Sequence, residues 1–204
     1  MSRFDEVFTS IFRCDYPGTA IGMSLPRLRF EPAVGPKRVA LLAAFHRCRS
    51  LFEAICSRDD EVWVELSFWN EASCLAKAQG FMERGLRPVE RTSWEREDRA
   101  YPDDDPECPA QRFSARIPSA SDGFDALFRA IVWGDHGGFD GLFVSALVVA
   151  PNANLGFHPY DDRGADLFAP EAGALLPLYT AFTTWILECD RSRIEKELGL
   201  DDAD

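Results

Sequence analysis

The fold is decided by the stretch Gly156-Phe-His-Pro-Tyr-Asp-Asp-Arg-Gly-Ala-Asp166. Pro159 fixes its own φ and pushes His158 towards extended geometry. The residues Asp161-Asp162-Arg163-Gly164 have turn chemistry, because Asp side chains bond to nearby backbone N–H groups and Gly adopts positive φ at low cost. An extended pattern resumes over residues 165–168. The stretch therefore predicts a loop that joins two short strands.

The flanking segments extend this pair of strands into a meander. Residues 142–150 are apolar on both faces, which is typical of a central strand. Pro151-Asn-Ala-Asn154 is a strong turn signal between that strand and the next. A final helix is expected from Leu175 to Leu198, and it starts no earlier than about residue 173 because Pro177 is tolerated within the first turn. Its predicted buried stripe comprises Leu178, Phe182, Trp185, Ile186 and Cys189.

In the rest of the chain, the spacing of apolar residues alternates between helical and strand periods. Helices are expected at 3–13, 37–57, 71–84 and from Ser121 or Asp122 onward, and strands at 27–31, 61–69 and 112–117. This order also fits βαβ winding, but the meander and the polar faces of several strands favour an antiparallel or mixed sheet. We predict a single α+β domain over residues 1–200, with amphipathic helices packed against the sheet. A charged, proline-rich loop is expected at about 95–111, either alone or after a short edge strand, and a frayed tail is expected at 201–204.

Two of these elements carry specific predictions about burial. In the helix at 37–57, the predicted buried stripe comprises Val39, Leu42, Phe45, Cys48, Phe52 and Ile55. In the strand at 61–69, Glu65 lies on the polar face together with Trp63 and Trp69. The two tryptophans either pack beneath a covering segment or mark a binding surface, and packing is favoured.

Composition and charge exclude several classes of partner. The 204 residues carry a net charge of −12, from 34 acidic and 22 basic side chains. This excess disfavours nucleic acid, which requires basic surface to displace counterions, and it disfavours anionic membranes. No apolar run approaches the ~18 residues of a membrane span. The first residues lack the basic-then-apolar layout of a secretory signal, so we expect a cytoplasmic protein.

The cysteine pattern favours free thiols. Six cysteines stand at positions 14, 48, 56, 74, 108 and 189, without a short-spaced framework or a C-x-x-C pair. Cys48, Cys56 and Cys189 fall on apolar faces of expected helices, where a thiol behaves as a small hydrophobe.

The densest set of chemically active side chains comprises His158, Asp161, Asp162, Arg163 and Asp166. In the first interpretation, Arg163 pins the loop by pairing with one or more of the carboxylates. In the second, His158 and the three aspartates hold a divalent metal or perform acid–base chemistry, although their spacing matches no established ligand motif. In the third, the loop binds a partner. The chain has no phosphate-binding or dinucleotide fingerprint and no serine nucleophile elbow, so no cofactor is expected.

Three segments together resemble a known family. They are Leu28-Arg-Phe-Glu31, the His158 to Asp166 stretch, and residues 178–191 with the pattern L-Y-x5-W-I-L-x-x-D-R. In this order they are similar to a bacterial family known only as a domain of unknown function, over about residues 20 to 198. Pro32 and Cys189 depart from the residues common in that family, which are Gly or Leu and an aromatic. The resemblance implies no active site.

The function expected from the sequence is contact with another protein. The acidic charge, the modest size and the lack of a recognisable catalytic motif favour a non-catalytic binding protein over an enzyme, with an immunity protein that neutralises a bacterial toxin as its most concrete form. A basic partner would dock at the acidic run Asp103, Asp104 and Asp105. The alternatives are a metal-dependent hydrolase that uses His158, Asp161, Asp162 and Asp166, and a regulatory or structural protein without a small ligand. The oligomeric state is left open.

Overall fold

The structure is a computed structural model that describes residues 2–14, 25–68, 72–90, 94–96, 111–137, 142 and 144–200. Residues 97–110 of the predicted charged loop, with Asp103, Asp104 and Asp105, lie outside the described residues, as do the C-terminal tail and Trp69. Residues 95 and 96 belong to an edge strand, which was one of the two alternatives for this stretch.

The described strands form a seven-stranded sheet in which every pairing is antiparallel. The strands are β1 (Arg27–Phe30), β2 (Glu61–Phe68), β3 (Trp94–Arg96), β4 (Gln111–Pro118), β5 (Val144–Ala150), β6 (Leu155–Pro159) and β7 (Ala165–Phe168). Their order across the sheet is β1-β7-β6-β5-β2-β4-β3. The predicted meander is β5-β6-β7, and the α+β class is confirmed in its antiparallel form.

The described α-helices are six: α1 (Arg3–Phe12), α2 (Lys37–Ile55), α3 (Ala72–Phe81), α4 (Gly123–Val132), α5 (Leu176–Phe182) and α6 (Arg191–Glu197). A π-helical turn, Met82–Leu86, continues α3. No helix in the described ranges is both long and apolar enough to cross a membrane.

The main core lies between one face of the sheet and the helices α2 and α4. Phe52 of α2 stacks against Phe124 of α4 at a ring-centroid distance of 4.2 Å, and Phe128 reaches Phe157 of β6 at 6.0 Å. Alternation along each strand directs one set of side chains into this core, including Val64 of β2.

The opposite face of the sheet is covered in part by α1. Phe4, Phe8 and Phe12 of this helix pack against Trp63, Leu147, Val149 and Phe168. Trp63 is 6% exposed, so it packs as favoured from the sequence. The ring of Phe168 lies across Gly156 on the neighbouring strand, where an added Cβ would come within 2.1 Å of the ring.

A buried ion pair lies beneath the same helix. Glu65 is 3% exposed, although the sequence placed it on a polar strand face. It pairs with Arg112 of β4, whose Nη2 also lies 3.3 Å from Asp5 of α1. The polar residue Glu65 of β2 therefore belongs to a buried ion pair beneath α1 and does not lie on a solvent-exposed face of the sheet.

The predicted buried stripe of α2 is wrong in its first two turns. Val39 and Leu42 are 57% and 55% exposed. The helix instead buries Leu41 and Ala44. The N-terminal part of α2 carries apolar residues on two faces, so periodicity alone did not determine which face meets the sheet.

The prediction of a single C-terminal helix from Leu175 to Leu198 is also wrong. The chain leaves α5 through a 3₁₀ turn, and Ile186 forms an antiparallel bridge with Phe30 of β1. Glu31 N donates to Trp185 O and Leu187 N donates to Arg29 O, each at 2.9 Å. The backbone groups of the edge strand β1 require partners, and these hydrogen bonds supply them at the expense of helical continuity.

The thiols of Cys48, Cys56 and Cys189 are free. Cys48 is buried as predicted, but Cys189 is exposed because the helix that was to bury it is interrupted. Burial raises the pKa of both the Cys48 and Cys56 thiols to about 12.

We predict that Cys189 reacts with an aromatic disulfide reagent faster than Cys48 and Cys56 do, because Cys189 is exposed, Cys48 is buried and Cys56 is partly buried. Cys48 should stay silent in the folded protein, because its raised pKa leaves almost no thiolate and its sulfur is buried. Cys189→Ser should lower the number of fast-reacting thiols by one, and denaturant should release all six thiols of the unmodified protein. Fast reaction of Cys48, or oxidised pairs in fresh protein, would contradict this assignment.

Candidate functional site

The loop between β6 and β7 is organised by Asp161. Its Oδ1 accepts hydrogen bonds from the backbone N–H groups of Arg163 at 2.7 Å and Gly164 at 2.8 Å. An added Cβ at Gly164 would lie 1.9 Å from the hydroxyl oxygen of Tyr160, so the tyrosine packs directly against this glycine. The expectation of a positive φ at Gly164 is wrong, and the close contact with Tyr160 is what requires a glycine here. The Asp-Asp-Arg-Gly sequence therefore forms an Asp-capped turn with a close aromatic contact.

Arg163 pairs with two carboxylates on the surface. Its Nε lies 2.9 Å from Asp161 Oδ2, and its Nη2 lies 2.8 Å from Asp135 Oδ2. The hydrogen bond to Asp161 is the main cause of its raised pKa. The Arg163 side chain is 72% exposed, so solvent screens these pairs.

A second contact joins the same loop to the segment after α4. The Nε2 atom of His136 lies 3.2 Å from Asp162 Oδ2. His136 and Asp135 both belong to the 3₁₀ turn Gly134–His136. We call Asp135, His136, Asp161, Asp162 and Arg163 the hairpin-tip cluster; it fastens the β6–β7 loop to the end of α4.

Asp166 lies apart from the hairpin tip, on the sheet face that α1 partly covers. It stands opposite Arg29 of β1 and opposite His158 of β6 in the strand register. Its carboxylate is 3.1 Å from Arg29 Nε and 3.4 Å from Arg27 Nη1. Asp166 is only 6% exposed, so its charge is compensated by two arginines from the edge strand.

Arg29 also contacts the C-terminal segment. Arg29 Nε lies 3.6 Å from Asp190 Oδ2, and Arg193 Nη2 lies 3.3 Å from that oxygen. We call Arg27, Arg29, Asp166 and Asp190 the edge-strand cluster. The hydrogen bond to Asp166 is the largest cause of the raised pKa of Arg29.

His158 and Tyr160 lie beside the edge-strand cluster, with their ring centroids 5.5 Å apart. Burial lowers the pKa of His158, and the charge of Asp166 opposes part of this effect. Burial, reinforced by Asp166, raises the pKa of Tyr160 to about 12. Both side chains are therefore neutral near pH 7.

The residues proposed for metal binding or hydrolysis do not converge. His158 and Asp166 belong to the sheet face, whereas Asp161 and Asp162 belong to the hairpin tip. Among the described residues, no group of three or more metal-ligand side chains is close enough to hold an ion.

Sequence reasoning missed the partners of Asp166. Arg27 and Arg29 alternate with the buried Leu28 and Phe30, which puts both arginines on the face opposite the core. That alternation was visible in the sequence. The pairing of β1 with β7 was not, because 134 residues separate Phe30 and Ala165 within the chain, and they meet only through the register Phe30↔Ala165.

We predict that Asp166→Ala destabilises the protein far more than Arg163→Ala. Removing the buried Asp166 leaves two arginines without their shared carboxylate, which costs about 3 kcal/mol for a largely buried pair. Removing the exposed Arg163 costs about 0–1 kcal/mol, the range of surface ion pairs. Urea unfolding of both variants measures the difference, and a larger loss in Arg163→Ala would contradict the assignment of Asp166 as the structural carboxylate.

We predict that His158 makes the protein less stable in mild acid. Its folded-state pKa is lowered from 6.5, so the unfolded chain binds the proton more readily. The stability from the neutral ring is fully present above pH 6.5 and falls as the pH drops through that value towards the lowered pKa. His158→Gln should flatten the dependence of the unfolding free energy on pH below 6.5, whatever its effect at pH 7.

The control for this titration is His46→Gln, which replaces an exposed histidine of α2. The change of slope in His158→Gln should exceed any change in this control. Parallel curves for the two variants would show that His158 is not the group responsible.

Comparison with known proteins places this chain in a family without an assigned activity. A family model described as "Domain of unknown function (DUF3885)" matches residues 3–190. No curated protein and no solved structure matches the chain. The matched range runs from α1 to Asp190 and so includes both clusters. The chain therefore belongs to the family described as Domain of unknown function (DUF3885).

Proposed function

We propose that this protein acts by non-catalytic contact with another protein. The observation that carries the proposal is that each aspartate of the candidate site is already paired with a cationic or imidazole group of the same chain. Asp161 pairs with Arg163, Asp162 with His136, and Asp166 with Arg29.

These pairs argue against acid–base or metal chemistry at the site. A general base has to reach the proton it abstracts, and a metal needs several free oxygen ligands at one point. The carboxylate oxygens here are bound to arginine, histidine or backbone N–H groups and point to two different places. These contacts support a structural role for the aspartates. In this proposal, a partner protein binds the surface outside them.

The partner that the charge supports is a basic protein. A net charge of −12 raises the rate of encounter with a positive surface and disfavours nucleic acid. An immunity protein that occludes a bacterial toxin in the cytoplasm is the most concrete form of this proposal. The acidic run Asp103, Asp104 and Asp105 remains the proposed docking segment.

The test is binding to the product of a neighbouring gene with basic character. We expect co-expression to restore growth if that product is toxic. The association rate should fall between 0.1 M and 1 M salt, because the Debye length falls from about 10 Å to about 3 Å. Replacement of Asp103, Asp104 and Asp105 by Asn should slow association without changing the melting temperature.

A matched control removes the same charge elsewhere. Glu83, Glu171 and Glu188 are exposed, and their replacement by Gln should slow association less than the Asn variant does. The proposal fails if the purified protein retains stoichiometric metal and hydrolyses a substrate, and if folded His158→Ala or Asp161→Ala variants lose that activity.

A further inference from the structure

We propose that the cleft between the π-helical turn Met82–Leu86 and the start of α4 binds a small organic anion, in which an apolar body carries one carboxylate or phosphate group. We call it the arginine cleft, after Arg84 and Arg87, which line it. The cleft contains no residue of the hairpin-tip cluster or the edge-strand cluster. The inference goes beyond the contact function proposed above, since it names a small ligand.

The arginine cleft has the size of a small-molecule site. Its volume is about 420 Å³, within the range of roughly 300–1,000 Å³ that is usual for ligand pockets. Pro118, Ala120 and Ala126 contribute apolar lining, and Arg84 and Arg87 contribute cationic groups. A concave surface that combines an apolar lining with a few polar groups is typical of ligand sites.

The cleft is built by direct contact between two backbone segments. An added Cβ at Gly123 would lie 2.4 Å from the backbone oxygen of Gly85, so only glycine allows α4 to approach the π-helical turn this closely. Ser121 Oγ donates to the backbone oxygen of Leu86 at 3.0 Å and so joins the same two segments. These contacts fix the shape of the cleft before a ligand arrives, which lowers the entropy cost of binding.

The charges of the two arginines are available to a ligand. Both side chains are exposed, and no carboxylate of the described residues forms an ion pair with either of them, although Asp122 also lines the cleft. By contrast, Arg163, which is exposed as well, pairs with two carboxylates. In a chain with 34 acidic and 22 basic side chains, two arginines without an acidic partner at one cleft leave a local positive charge for an anion.

Contacts with the main chain hold the two arginines. Arg87 ends the π-helical turn with a φ of 55°, and its Nε lies 3.5 Å from the backbone oxygen of Arg84. The Nη2 atom of Arg84 would lie 2.5 Å from an added Cβ at Gly80, so its guanidinium rests against the backbone of α3. Backbone contacts of this kind position a guanidinium without neutralising its charge.

The guanidinium groups, and not the end of α4, provide the donors for an anion. Gly123 N donates to Ser121 Oγ at 3.3 Å, and Phe124 N and Asp125 N donate to backbone oxygens at 3.2 Å, so the first N–H groups of the helix are already bonded. The planar fork of an arginine matches a carboxylate or a phosphate group in bidentate pairing.

The lining also restricts which anion fits. Asp122 adds a negative charge to the cleft, which disfavours ligands with several anionic groups. The apolar lining favours a ligand with a hydrocarbon part. The net charge of −12 disfavours nucleic acid. A small molecule with one oxyanion group on an apolar body satisfies all three conditions.

The test titrates the isotope-labelled protein with four small probes and follows its backbone N–H signals by nuclear magnetic resonance. Benzoate and phenyl phosphate carry one oxyanion group on a phenyl ring, benzamide keeps the ring without the charge, and inorganic phosphate keeps the charge without the ring. We expect benzoate or phenyl phosphate to shift the signals of Gly85 and Gly123 saturably. Benzamide and inorganic phosphate should bind at least about tenfold more weakly than the better of these two anions. The better anion identifies the preferred group as carboxylate or phosphate, and its binding should weaken as salt rises.

The variant Arg84→Gln/Arg87→Gln should weaken the better anion about tenfold and remove its advantage over benzamide. Its melting temperature should stay unchanged, because both side chains are exposed and form no ion pair within the described part of the chain. The matched control, Arg13→Gln/Arg58→Gln, removes the same charge at two exposed positions outside the cleft and should leave binding unchanged.

A second variant changes the shape of the cleft and keeps both arginines. Ala126→Leu places a larger side chain in the lining, and leucine favours helices, so α4 should persist while the anion binds more weakly. This comparison remains decisive if the arginine variant does not fold.

Three results would overturn the proposal. The first is the absence of a saturable shift at Gly85 and Gly123 with either phenyl-bearing anion up to about 10 mM. The second is equal binding of benzamide and the anions. The third is equal weakening by the control and by the Arg84 and Arg87 variant, or unchanged binding in Ala126→Leu.

Discussion

Arg29 connects the edge of the sheet to three other parts of the chain through its side chain and its backbone. It contacts the buried Asp166 on β7 and Asp190 at the start of α6, and its backbone oxygen accepts the N–H of Leu187. Strand β1 has only four residues, so its ladder hydrogen bonds alone hold it weakly. The ion pair of Arg29 with Asp166 holds β1 against β7 and fixes the register of the two strands. The hydrogen bond from Leu187 to Arg29 covers the opposite, open edge of β1.

This constraint explains why the residues with the strongest chemical signal lie in two separate clusters. Asp166 is needed to compensate Arg27 and Arg29, and His158 is held neutral beside it by burial. Asp161 is needed to shape the turn. In the proposed contact function, a partner would bind surfaces outside these clusters.

The sequence predicted features that depend on neighbouring residues. The Asp-Asp-Arg-Gly turn, the β5-β6-β7 meander and the antiparallel character followed from local turn chemistry and alternation. The sequence did not predict which face of α2 is exposed. A helical repeat of apolar residues can be drawn through either Leu41 or Leu42, and packing against the distant sheet decides which of the two is buried. The interruption of the C-terminal helix at Trp185 was not predicted either, because it results from hydrogen bonds to the edge strand β1. The partners of Asp166 depend on strand register, which no local pattern contains.

The most direct test of this account is a double-mutant cycle between Arg29 and Asp166, with Arg29→Gln, Asp166→Asn and the combined variant. Unfolding free energies measured in urea give the coupling between the two side chains. If the pair holds the edge strand, the coupling should exceed about 1 kcal/mol, and the double variant should lose less than the sum of the single losses. Additive losses, equal within about 0.3–0.5 kcal/mol, would show that Arg29 and Asp166 act independently and would contradict the account.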